Sequence, residues 1–422
     1  MTPHTRQPGS SCADPESRET LTVAAARELI LSGVTPIPSR EHLPLQKALG
    51  RILAEDLRSP MDVPGHTNSA MDGYALAGSE LQRGSREFKI VGTAYAGTPW
   101  PGRCGPGECV RIMTGAPMPA GTDSVVMQEK SEKLGDERIR IGEGQRYGQN
   151  VRLAGEDIAK GATVLRAGRR LIPADLGILA SLGLAEVGVF ARPRVAFFST
   201  GDELRGIGEP LEPGELYDSN RYTLNGMLQR AGAEGIDLGV VKDDPETLDQ
   251  AFREGSRLAD VVITSGGVSV GEADYTKSIL ESRGEMHFWR IAMKPGRPLT
   301  FGRLGQSLFF GLPGNPVAVM VTFYQFVLPA LHTLSGGEPY RPFTLLARSE
   351  GAIRKRAGRF EFLRGRLQQT PAGEFSVLCL EHQGSGILTS MSRGDCFILL
   401  ETECDGVAPG EQVLVQPFAA LV

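Results

Sequence analysis

The sequence predicts a multidomain α/β plus β protein organised around one doubly wound α/β domain. The first observation is the run Val261-Val262-Ile263-Thr264, four apolar or β-branched residues that read as a strand buried on both faces, the parallel-sheet pattern. It breaks at Ser265-Gly266-Gly267, and residues 275–283 then read as a helix. The second is that two more β-type runs, 195–198 and 308–310, end in Ser199-Thr200-Gly201-Asp202-Glu203 and Gly311-Leu312-Pro313-Gly314-Asn315-Pro316. The third is that strand and helix patterns alternate in βαβ-sized units from 194 to 336. Open α/β sheets bind ligands beyond the carboxyl ends of their strands, so three such ends rich in glycine, small residues and carboxylates imply one shared pocket.

A chain of 422 residues is too long for one ordinary core. Hydrophobic content of 41% and charged content of 23% are globular values. The net charge of -5 argues against general nucleic-acid binding. The six cysteines form no C-x-x-C pair and no zinc spacing, which reads as free thiols in a reducing compartment. Residues 1–18 are polar and rich in Pro, Ser and Thr, as expected of a disordered tail and not of a signal peptide. The most apolar long segment, 316–331, contains Pro329 and falls short of the ~20 residues that span a bilayer. It reads as a buried helix, and the protein as cytoplasmic, without membrane or nucleic-acid partners.

From the amino end, residues 22–31 form an expected helix with Val23, Ala26, Leu29 and Ile30 on one face, and residues 45–53 resume helical spacing. Between 59 and 150 glycine and proline become frequent and β-type runs appear at 88–91, 109–113 and 124–128, so a β-domain is expected there. Helical character returns at 173–183. A bipartite N-terminal domain (19–58 and 151–193) interrupted by an inserted β-domain (59–150) follows. In the α/β domain (194–336), a helix near 219–231, a strand at 236–241, a helix opened by Asp244-Pro245-Glu246, and strands near 287–293 and 308–310 complete the sheet. Residues 337–422 return to β-type runs at 343–347, 375–379, 396–400 and 412–415, a final small β-domain.

No G-x-x-x-x-G-K-[ST] and no G-x-G-x-x-G after the first α/β strand are present, which disfavours P-loop hydrolases and dinucleotide redox enzymes. A single carboxylate in a glycine-rich turn reads first as a solvated cap. Recurrence of Asp202, Glu203, Asp243, Asp244 and Asp274 at strand ends instead suits magnesium, which takes one or two carboxylates plus substrate phosphates. Arg290, Lys294 and Arg297 supply opposite charge around one turn. A second basic run, Arg354-Lys355-Arg356 with Arg359, Arg364 and Arg366, reads either as a charge-protected strand edge or as an oxyanion site built from arginine forks.

Seven segments occur together and in order: N-S-A-M-D-G-Y-A (68–75), I-M-T-G-A-P-M-P-A-G-T-D (112–123), S-T-G-D-E-L (199–204), Y-D-S-N (217–220), S-G-G-V-S-V-G-E-A-D (265–274), M-K-P-G-R-P (293–298) and L-P-G-N-P (312–316). The chain resembles the molybdopterin molybdenumtransferases of the MoeA type, which include the E domain of gephyrin. That resemblance implies a four-domain homodimer that inserts molybdenum from molybdate into adenylylated molybdopterin and releases AMP with Mg²⁺, and the incomplete closure expected of the inserted β-domain and the α/β domain within one chain predicts residues of both chains in each site. It also allows the molybdopterin adenylyltransferase as a partner.

By motif it implies Asp72, Thr114, Asp157, Glu203, Asp243, Asp274 and Lys294 as catalytic, with Asp243 or its neighbour Asp244 and Asp274 on the metal. Ser265, Gly266, Gly267, Ser269, Gly271, Arg290, Arg297, Pro313 and Pro316 would bind the pterin substrate, and Arg364 and Ser385 would receive molybdate. His66-Thr67, Arg290 and Arg297 depart from the common family pattern. A non-catalytic scaffold or pterin-binding protein of the same fold, or a nucleotide hydrolase on a related domain, are the competing readings.

Overall fold

The structure, a computed structural model, describes residues 20–267 and 274–421, with only the backbone of 274–278 and 288. The expected tail and the sites at Ser269 and Gly271 lie outside the described residues, as does the side chain of Asp274. The chain divides into two units, 42–189 and the remainder.

In the remainder, a seven-stranded sheet runs in the order Thr20–Leu21, Met286–Ile291, Pro298–Leu304, Ser307–Leu312, Val261–Ser265, Arg194–Thr200, Glu234–Val241. The last four are parallel. Alternate residues point to opposite faces of a strand, so Phe197 and Ile263 enter one core while Phe198 and Val262 enter another. Helices Pro245–Leu258 and Asp274–Arg283 cover the second face, where the Phe198, Phe252 and Phe309 rings meet at 5.5 and 5.7 Å. Each such buried ring contributes ~1.5–3 kcal/mol by leaving water. Helices Asn220–Arg230, Val23–Ser32 and Pro316–Leu334 cover the first. The last is long and apolar enough to cross a membrane, yet 83% of its apolar window is buried, as expected of a core helix.

Three expectations change here. Pro298–Leu304, an unforeseen strand, runs antiparallel to both neighbours, so the sheet is mixed at that end. Residues 20–41 belong with the α/β unit, not with 42–58: Thr20 and Leu21 pair with Arg290 and Ile291, and Val23, Ala26 and Ile30 enter its core. Leu29 stays 48% exposed, because the buried stripe of this helix is narrower than its apolar sequence.

The carboxyl-terminal strands close on themselves. Phe360–Gln369 pairs with Phe375–Cys379 through its second half and with Cys396–Leu400 through its first, and Leu345–Ser349 and Gln412–Pro417 complete the ring. Closure places Arg364 fully inside, which removes the strand-edge reading for that residue, whereas Arg366 stays exposed on the half that pairs with Phe375–Cys379.

The 42–189 unit holds a six-stranded sheet in which Gly73–Leu76 lies between the edge strand Ser124–Met127 and Glu108–Ile112, with Tyr74 and Leu76 in one core and Ala75 in another. A Cβ at position 73 would collide with the Val126 carbonyl oxygen, so only glycine fits there. Residues 45–53, expected as helix, make one 3₁₀ turn, Leu45–Lys47, after which Ala48 and Leu53 pack with Leu165, Leu171 and Leu179.

Candidate active site

The three parallel strands Arg194–Thr200, Val261–Ser265 and Ser307–Leu312 are immediate neighbours, and Ser265 stands in register with both Ser199 and Leu312. The chain leaves the first of them for Glu234–Val241 on one side and returns to Val261–Ser265 on the other, which makes their junction the topological switch point. A cleft of about 780 Å³ opens there. Its floor is Thr200, Gly201, Ser265, Gly266 and Gly267. Gly266 adopts φ +92°, and a Cβ there would strike the Thr200 carbonyl oxygen, so the loop needs this glycine to cross the neighbouring strand.

Asn220, at the start of its helix, donates from Nδ2 to Ser265 Oγ (2.8 Å) and to the Gly314 carbonyl (2.7 Å), which locks two strand-end loops together. Around it Thr200 Oγ1, Asn220 Oδ1 and Asp218 Oδ2 are buried without a hydrogen-bond partner among the described residues, although Asp218 Oδ2 lies 3.5 Å from Arg221 Nε. Buried polar atoms are normally satisfied, so a group of them facing a cleft marks where a polar ligand completes the bonding. Asp218, Asn220 and Thr200 were not singled out as site residues. The Y-D-S-N and S-T-G-D-E-L segments carried the signal.

The opposite wall is Lys294, Arg297, Pro313, Pro316, Arg359 and Ser385. Lys294 Nζ lies 3.6 Å from the buried Glu361 carboxylate. The Val317 N–H donates to the Ser385 carbonyl (3.0 Å), which holds the Gly384-Ser385-Gly386 turn against the Pro316 helix. Glu203 and Asp243 line the cleft, whereas Arg290 does not.

Asp244 is a different kind of residue. Its Oδ2 accepts the Thr247 hydroxyl (2.6 Å) and its Oδ1 the Thr247 N–H (3.0 Å), so it caps the helix Pro245–Leu258. Those two bonds, the hydroxyl first, hold its carboxyl below the usual range. Of the two neighbours, Asp243 is therefore the cleft residue.

Arg364 is not a free oxyanion fork. It is fully buried, and its guanidinium donates to Ser390 Oγ (3.0 Å), the Phe362 carbonyl (3.3 Å) and the Gly384 carbonyl (3.1 Å). Burial pulls its pKa down to about 10. Arg364 thus positions the turn that carries Ser385, and Ser385 itself reaches the cleft.

No cluster of three or more metal-ligating side chains exists among the described residues. Asp202, Glu203, Asp218 and Asp243 do place hard carboxylate oxygens around the cleft. That donor set fits magnesium held by one or two carboxylates and completed by substrate phosphate and water.

In the 42–189 unit, Asp72 and Thr114 are partners: Asp72 Oδ1 accepts the Thr114 N–H and hydroxyl, each at 2.7 Å. The backbone bond first, then the hydroxyl, holds the Asp72 carboxyl below the usual range. Asp157 is exposed on the neighbouring loop, and the departing residue Thr67 accepts the Ala154 N–H (3.3 Å).

A mixed α/β sheet with a polar, carboxylate- and lysine-lined cleft at its switch point defines the class of α/β proteins that bind a polar ligand beyond the carboxyl ends of their strands. Comparison with known proteins narrows this. The chain matches the MoeA N-terminal region (domain I and II) over 21–183, a probable molybdopterin binding domain over 196–333, and the MoeA C-terminal region (domain IV) over 347–418. It is 44% identical over 408 residues to a molybdopterin molybdenumtransferase of Haemophilus influenzae, covering 95% of this chain and all of that one. With the Nostoc sp. protein of the same name the identity is 38%, over 89% and 88% of the two chains. The crystal structure of the molybdopterin biosynthesis MoeA protein from Pyrococcus horikoshii superposes with a TM-score of 0.82 at 29% identity, over 95% of this chain and all of that one. The chain belongs to the MoeA family of molybdopterin molybdenumtransferases.

Proposed function

We propose that this protein acts in molybdenum cofactor biosynthesis, transferring molybdenum from molybdate to adenylylated molybdopterin with release of AMP. The observation that carries the reading is the cleft itself, where three glycine-rich strand ends, buried unpartnered polar atoms, Lys294 and Ser385 converge in a chain of this family. Both substrates are anions, so holding them side by side needs cations and N–H donors fixed in advance. Gly266 and Gly267 let the backbone approach the pterin phosphate, and Lys294 and Arg297 offset its charge. Pro313 and Pro316 stiffen the facing loop. Ser385, on the turn braced by Arg364, offers a hydroxyl to molybdate.

Magnesium, held by Asp243 with Asp274, would supply positive charge at the phosphate oxygens of the AMP ester. Glu203 lines the same cleft as a further carboxylate, and Asp72, Thr114 and Asp157 are candidate catalytic residues of the other unit. We further propose a cytoplasmic homodimer. Incubation with adenylylated molybdopterin, Mg²⁺ and molybdate, with AMP followed chromatographically and an apo-molybdoenzyme as acceptor, should yield AMP and active acceptor enzyme together. Absence of both would overturn the assignment.

A further inference from the structure

The basic run at 354–359 forms a second cavity, of about 880 Å³, between residues 353–361 and 405–408. Strand Ile353–Arg354 pairs with Gly406–Val407, and the Gly358 N–H donates to the Thr402 carbonyl (2.8 Å), so both walls are tied. Five cations, Lys294, Arg354, Lys355, Arg356 and Arg359, face two carboxylates, Glu361 and Asp405. Lys294 and Glu361 pair with each other. Lys355 is buried, and its Nζ donates to three carbonyls, of Arg356 (3.3 Å), Thr402 (3.3 Å) and Cys404 (2.9 Å). All three of its donors are engaged by carbonyls, and no carboxylate forms an ion pair with it among the described residues, so a buried positive charge remains at the wall of the cavity. Arg354, Arg356 and Arg359 are exposed, and none has an acceptor among the described residues. Lys294, Arg359 and the main cleft connect directly, because both cavities share these two side chains.

We propose that this groove is a second anion site, which holds a tetrahedral oxyanion group on the Arg354, Arg356 and Arg359 guanidinium forks beside the reaction cleft. An unbuffered buried cation favours a multiply charged anion, and three unengaged forks match its several acceptor oxygens. The group is either a free oxyanion such as molybdate, poised for the cleft, or the phosphate of departing AMP. That role rests on the proposed reaction; the binding itself does not.

The test is calorimetric titration of the full-length protein with molybdate, inorganic phosphate and AMP in turn, using wild type, Arg354→Ser/Arg356→Ser and Ser385→Ala. Each fork lost should weaken the groove by about tenfold. The double variant should therefore lose one molybdate site per chain while Ser385→Ala keeps it. Phosphate competing with molybdate, and AMP not, identifies a free oxyanion as the occupant; loss of AMP binding in the double variant identifies the product. Both changed residues are exposed, and circular dichroism checks the fold. Equal stoichiometry and affinity for all three probes in wild type and double variant would overturn the proposal. If wild type releases no AMP from adenylylated molybdopterin, the proposed reaction fails while this binding comparison still decides the groove.

Discussion

Replacing Arg364 by alanine tests whether that residue positions a turn or merely decorates the barrel. The substitution removes three bonds from a charged donor, to Ser390, Phe362 and Gly384, each worth ~1.5–3 kcal/mol in a buried setting. Loss of a buried charge recovers part of its desolvation cost, and the vacated volume adds a cavity penalty. The net expectation is a loss of ~3–5 kcal/mol, against about 0.5 kcal/mol or less for an ordinary surface site. Arg364 and Gln383 keep their mutual backbone-to-side-chain bonds (2.9 and 2.8 Å), so the barrel should persist. Trp289 lies in the same unit and Trp100 in the other, so urea unfolding read by Trp289 fluorescence in a Trp100→Phe background isolates the relevant transition. With the turn slackened, the molybdate concentration for half-maximal insertion should rise while affinity for adenylylated pterin holds. A stability change within about 0.5 kcal/mol together with an unshifted molybdate curve would refute the positioning role.

Three further outcomes follow from the same geometry. Asp244→Ala should cost ~1 kcal/mol through loss of the helix cap without changing catalysis, whereas Asp243→Asn should slow AMP release at unchanged stability; the reverse pattern in parallel melts and assays would exchange their roles. Thr114→Val removes the hydroxyl donor to Asp72 and leaves the N–H, so the Asp72 carboxyl should titrate at higher pH by ¹³C NMR. Because that pKa is depressed in the folded state, its stabilisation is present above the unfolded value of ~3.9 and is lost as pH falls through the folded value; an unmoved titration contradicts the bond. Gly266→Ala forces a Cβ against the Thr200 carbonyl at φ +92°, for a cost of ~1–3 kcal/mol and weakened pterin binding, and wild-type affinity would show that the loop tolerates a side chain.

The sequence by itself determined the features that local patterns encode. Apolar runs such as Val261-Val262-Ile263 have only one way to be buried on both faces, and glycines at their ends announce the turns, so the three strand ends and their shared cleft were legible. Asp244-Pro245-Glu246 likewise marked a helix start from neighbouring residues alone. The choice between Asp243 and Asp244 was not legible, because it depends on the Thr247 hydroxyl reaching one carboxylate and not the other. The Leu45–Lys47 segment was misread because its apolar spacing suits a helix, while packing against Leu165, Leu171 and Leu179 is what fixes it. Strand character around Phe360 and Phe362 was legible, but the burial of Arg364 was not, and only closure of the barrel shows why a buried arginine is tolerated there. Its partners, the Phe362 and Gly384 carbonyls and the Ser390 hydroxyl, come from segments up to 26 residues apart. A single sequence records that each of these groups can hydrogen-bond; their meeting is decided by tertiary contacts, which carry no local signature.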